Sequence, residues 1–64
     1  MSFEQFVSIM FSLGIPENRC KHDVDAGIYI AHAGELTITG NSISTKLTVY
    51  NKRTRARFMT EAMA

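Results

Sequence analysis

The clearest pattern along the chain is a two-residue alternation from Ile43 to Tyr50. In it Ile43, Thr45, Leu47 and Val49 oppose Ser44, Lys46, Thr48 and Tyr50. Period two sends successive side chains to opposite faces of a half-buried strand. Two shorter segments upstream carry the same signature. Gly27-Ile28-Tyr29-Ile30-Ala31 is rich in β-formers, and Leu36-Thr37-Ile38-Thr39 alternates. His32-Ala33-Gly34-Glu35 supplies a turn between them, and Gly40-Asn41 before Ser42 has the composition of a type II′ hairpin turn. Together these predict a three-stranded antiparallel meander.

The amino-terminal segment has helical period instead. Ser2 and Gln5 have capping-box spacing, Met1 and Phe6 match a hydrophobic staple, and Gly14 sits where a left-handed C-cap would end the helix. Phe3, Phe6, Val7, Ile9, Met10, Phe11 and Leu13 form one apolar sector, opposite Glu4, Gln5, Ser8 and Ser12. That sector spans roughly 200° of arc against the ~100° stripe that one core face requires. Ile9 and Phe11, at its margins, are therefore candidate self-association residues.

Residues 15–26 are mixed. Pro16 and Glu17 suit the first turn of a short helical segment running towards Lys21, and the polar run from Glu17 to Asp25 reads equally as a solvated loop. A competing pattern makes Pro16 to Ala33 one long helix, capped by Gly34, in a helix-turn-helix with a two-stranded wing. Gly27 inside that helix would cost about 1 kcal/mol relative to Ala, and Ile-Tyr-Ile favours strand, so the meander is preferred. From Thr54 to Met63, the residues Ala56, Phe58, Met59, Ala62 and Met63 cluster on one helical face. The expected fold class is α+β in the order α-β-β-β-α: N-terminal helix, three-stranded antiparallel meander, C-terminal helix, with the helices on one face of the sheet. Residues 1–64 are expected to make a single small domain.

The length sharpens the picture. A chain of 64 residues buries only about 60% of the surface its unfolded form exposes. Small scaffolds compensate with disulfides, a metal or a partner subunit. One cysteine, Cys20, makes an internal disulfide impossible, so a homo-oligomer, a dimer in the first instance, is the expected remedy. No apolar run approaches the ~20 residues of a membrane span. Glu4, with no basic residue ahead of the first apolar stretch, argues against a secretory signal. A cytoplasmic protein with no membrane partner is expected, and the lone cysteine fits a reducing compartment.

Net charge is +1 and the pI is near 7.9, below the roughly pI 9 of dedicated nucleic-acid binders. Its distribution is more informative. Residues 1–35 carry Glu4, Glu17, Asp23, Asp25 and Glu35 against Arg19 and Lys21. Residues 36–64 carry Lys46, Lys52, Arg53, Arg55 and Arg57 against Glu61. Those five cations form the candidate binding patch. Lys52, Arg53, Arg55 and Arg57, before or within the first turn of a C-terminal helix, would oppose its macrodipole by a few tenths of a kcal/mol each, and Lys46 on the polar face of the third strand extends the patch. Helix stability therefore gives no reason for them, whereas meeting phosphates or acidic side chains does. The plainer reading is a solvated charge run with Arg57 meeting Glu61 one turn on.

An α-β-β-β-α order with Lys52-Arg53-Thr54-Arg55-Ala56-Arg57 opening the last helix is similar to double-stranded-RNA-binding domains and to the small toxins that share their fold. That resemblance is one of topology: the glycine-rich turn and Lys-Lys-x-Ala-Lys run of those domains are absent, as is the toxins' glycine-serine-histidine context. Topology alone does not carry function.

Other chemistry is sparse. Cys20, His22, Asp23, Asp25 and His32 offer three N/S donors and no second pair, short of the four that structural zinc requires. No nucleophile–base–orienter set or phosphate cradle is present, and His32 beside Glu35 across a turn can be drawn as an acid–base pair, but so short a domain leaves little room for a closed pocket. No metal, no cofactor and no catalysis are expected. Tyr29 and Tyr50 read as cross-strand aromatics, and Met10, Met59 and Met63, with Phe11 and Phe58, as core. The functional expectation is a small non-enzymatic protein-interaction module that self-associates and regulates or inhibits a larger macromolecular partner. Such a chain resembles the accessory proteins of phages and mobile elements. The alternative is a nucleic-acid-binding regulator using Lys46, Lys52, Arg53, Arg55 and Arg57.

Overall fold

The computed structural model describes residues 1–62, and begins with a helix, α1, Phe3–Ser12. The capping box forms as expected: Gln5 N donates to Ser2 Oγ at 3.1 Å, and Ser2 N to Gln5 Oε1 at 2.7 Å. Gly14, at φ 84°, ends α1 in a Schellman arrangement. Ile15 N donates to Met10 O at 2.9 Å and Gly14 N to Phe11 O at 3.0 Å. A 3₁₀ turn, Glu17–Arg19, follows with Pro16 just ahead of it.

Five strands come next: β1 (Cys20–Asp23), β2 (Ile28–Ala33), β3 (Leu36–Asn41), β4 (Lys46–Asn51) and β5 (Arg57–Glu61). They pair antiparallel in chain order, β1-β2-β3-β4-β5. The fold is thus one helix on a five-stranded meander, and the expected α-β-β-β-α order is overturned at two places.

First, residues 20–23 are a strand rather than a loop. Its polar composition suits an edge: Lys21, His22 and Asp23 are exposed, and backbone pairing to β2 supplies the order that burial does not. Second, the carboxyl-terminal helix does not exist among the described residues. Arg57–Glu61 is a strand, and Met63, the last residue of the expected helix, lies outside the described residues. The apolar spacing there fits either period. Asn51 decides it. Its Oδ1 accepts from Arg53 N at 2.9 Å and Thr54 N at 3.0 Å, while Arg55 takes φ 62°. The chain therefore reverses, and β5 returns along β4. The likeness to double-stranded-RNA-binding domains goes with the lost helix.

Asn41 acts in the same way at the preceding hairpin, accepting from Ile43 N at 2.9 Å and Ser44 N at 2.6 Å. The turn is therefore residues 42–45, not Gly40-Asn41, and Ile43 is 95% exposed rather than in a strand. Gly40 stays inside β3 because the Phe6 ring lies over it. A Cβ there would sit 3.1 Å from Phe6 Cδ1 and 3.2 Å from Leu47 Cδ2.

The core lies between α1 and one face of the sheet. Phe6, Met10 and Ile15 pack with Tyr29, Ala31, Ile38 and Leu47, and each large side chain so buried stabilises by about 1.5–3 kcal/mol. The Tyr29 hydroxyl donates to Met1 O at 2.9 Å. The Met1 ammonium donates to Ser44 O at 3.0 Å, pinning the start of α1 to the β3–β4 turn. No helix among the described residues is long and apolar enough to cross a membrane.

Candidate functional site

Register divides the sheet's side chains between its two faces. Toward α1 point Cys20, His22, Tyr29, Ala31, Ile38, Gly40, Leu47, Val49, Phe58 and Thr60. The face away from α1 carries Lys21, Ile30, Thr39, Thr48 and Met59 in one row, and His32, Thr37, Tyr50 and Arg57 in the next. Thr37, Thr39, Thr48, Tyr50 and Arg57 line a shallow groove of 320 Å³ on this open face.

The five basic residues do not form one patch. Lys52, Arg53 and Arg55 occupy the β4–β5 turn, and Lys46 opens β4 at the opposite end of that strand. Arg53 Nε lies 3.4 Å from Glu35 Oε2, an exposed pair of the kind that contributes little. Lys52 N donates to Glu35 O at 2.7 Å, tying this turn to the β2–β3 turn. Arg57 opens β5 on the open face, its guanidinium 6.0 Å from the Tyr50 ring centroid, a cation–π contact. With no helix at this end, the expected anion site at a helix N-terminus has no basis. Glu61 closes β5 at the far end from Arg57, rather than lying one helical turn above it.

Ile9 and Phe11 also separate. Ile9 is half-buried and packs against the core, whereas Phe11, on the other margin of α1, is 74% exposed. Leu13 is exposed with it. The metal-like residues are dispersed too: Cys20 and His22 face α1, His32 lies on the open face and Asp25 is in the β1–β2 turn. His22 is held between aromatic rings, 4.8 Å from Phe3 and 4.8 Å from Tyr29. Partial burial, with Glu17 nearby, pushes the Cys20 thiol above its ordinary pKa. Comparison with protein families, curated proteins and solved structures finds no match to this chain.

The surface missed in the sequence is β5. It is the last strand of the sheet, all five of its residues are exposed, and Phe58 and Met59 are 58% and 64% exposed. Phe58 is on the α1 side of the sheet, yet α1 leaves it uncovered. The period-two order of Arg57, Met59 and Glu61 against Phe58 and Thr60 was the available signal. It was obscured by Ala56 and Ala62, which complete an equally good helical face.

Proposed function

We propose that this chain is a small non-enzymatic protein-interaction module that self-associates, in a reducing compartment such as the cytoplasm, and regulates or inhibits a larger macromolecular partner. The observation that carries this is the apolar surface a single copy leaves in water. Phe58 and Met59 on β5 are exposed, and Phe11 and Leu13 at the end of α1 form a separate exposed pair open to the larger partner, while seven of the described residues make the core. Exposed apolar side chains of this size are surface that a partner can cover, and a core this small gains from a partner. Sedimentation velocity across a wide concentration range tests it, and a stable monomer at high micromolar concentration rejects self-association. Co-purification from the native host, with nucleic acid digested in one arm, tests for the larger partner.

A second reading has its own support. Arg57 stacked on Tyr50 beside three threonines is a surface on which a base or sugar can lie, and Lys52 and Arg55 stand exposed nearby. Nucleic acid bound there would dissociate steeply with salt, with a log–log slope of several units. A flat response rejects that reading.

A further inference from the structure

We propose that the free edge of β5 is a self-complementary seam. Two copies would pair Arg57–Glu61 antiparallel about a two-fold axis through Met59, joining their sheets into one. This rests on the self-association reading and specifies its surface.

Backbone parity sets which groups the edge offers. Asn51 N donates to Ala56 O at 2.9 Å, and Ala62 N donates to Thr45 O at 2.8 Å. The β4–β5 register places Phe58 opposite Val49 and Thr60 opposite Leu47 between them. Hydrogen-bonding residues alternate along an antiparallel ladder, so Ala56, Phe58, Thr60 and Ala62 turn their backbone groups to β4. Arg57, Met59 and Glu61 turn theirs outward. A two-fold axis through Met59 matches all three outward residues with the three of the second copy. Met59 meets the partner's Met59, and Arg57 meets the partner's Glu61 twice over. Every free N–H and C=O of those residues then finds a partner.

The side chains agree with this register. Arg57, Met59 and Glu61 share the open face, so the opposite charges end up directly across the seam, the arrangement that favours pairing. Both are held ready: Arg57 lies over Tyr50, and Glu61 Oε2 accepts from Thr45 Oγ1 at 3.2 Å, with Lys46 opposite on β4. On the other face Phe58 lies diagonal to the partner's Phe58, covering the ring that α1 leaves bare. Neighbouring registers are worse. An axis at Phe58 sets Arg57 against the partner's Met59 and Glu61 against the partner's Arg55. Arg55 has left the strand conformation at φ 62°. An axis at Thr60 sets Glu61 against the partner's Met59. Natural sheets protect edges with charge, but a cation and an anion four apart on the same face, symmetric about Met59, invite the strand's own copy. The other edge, β1, has four residues and no exposed apolar side chain.

The test is sedimentation velocity of the whole chain from low micromolar to near millimolar concentration. Arg57→Glu and Glu61→Arg are each expected to weaken dimerisation by about tenfold, because each change acts at two places in the dimer. The double swap, R57E with E61R, is expected to restore it. Met59→Pro removes an outward N–H and leaves the β4 ladder intact. It is expected to give a folded monomer with unchanged far-UV circular dichroism. The amides of Arg57, Met59 and Glu61 should gain exchange protection as concentration rises. A double swap as weak as either single, or a Met59→Pro protein that dimerises like the parent, overturns the seam while leaving self-association standing. A parent chain that stays monomeric overturns both.

Discussion

Gly40 shows how one position can couple a helix to a sheet. Its backbone is ordinary extended strand, so substitution brings no conformational strain, but Phe6 and Leu47 crowd the space a methyl would take. Both neighbours are buried and cannot swing away. Gly40→Ala is therefore expected to destabilise by about 1–2 kcal/mol, the overpacking exceeding the gain from a stiffer unfolded chain; a lower urea midpoint at unchanged slope would register it. Cys20 makes a second test. Its raised pKa means the folded thiol keeps its proton longer, so the group supports the fold at neutral pH and withdraws that support as alkaline pH rises past the folded value. Alkylation at mildly alkaline pH should be slower than for a free thiol and should quicken in Glu17→Gln. At this scale the sequence was only half legible. Ser2, Gln5 and Gly14 announced their caps by type and spacing. Asn41 and Asn51 direct two turns through side-chain oxygens, and an asparagine at the end of a strand has many other uses.

At the level of elements, α1 was legible because three independent signals, two caps and an apolar stripe, agreed. β2, β3 and β4 were legible from alternation, although their ends moved with the turns. β5 was not, because five residues that must pair with a neighbour carry no local mark of it: the requirement comes from β4, whose outer edge needs covering. The same distinction separates substitutions in α1. Phe6→Ala removes a fully buried ring and is expected to cost about 3–5 kcal/mol, enough to unfold much of a marginal domain. Phe11→Ser, at an exposed position, should change the thermal midpoint little, and should leave dimerisation through β5 unchanged. Ser2→Ala loses one cap bond and is expected to cost about 1 kcal/mol, read from the same denaturation curves.

For the molecule as a whole, the placement of α1 leaves β5 exposed along its length, so a single copy is an incomplete layer. If a second copy completes it, the thermal midpoint should climb with protein concentration, and Met59→Pro should abolish that climb. The strict neighbour order of the strands bears on how the chain reaches this form. Each hairpin closes a few residues away from where it opened, whereas seating α1 requires Met1 to cross to Asn41 and Ser44. Short closures are entropically cheap and fast. Refolding should thus begin as a zipper running through the turns, with the helix arriving last. In stopped-flow traces, truncating Phe6 would then hasten unfolding far more than it slows folding.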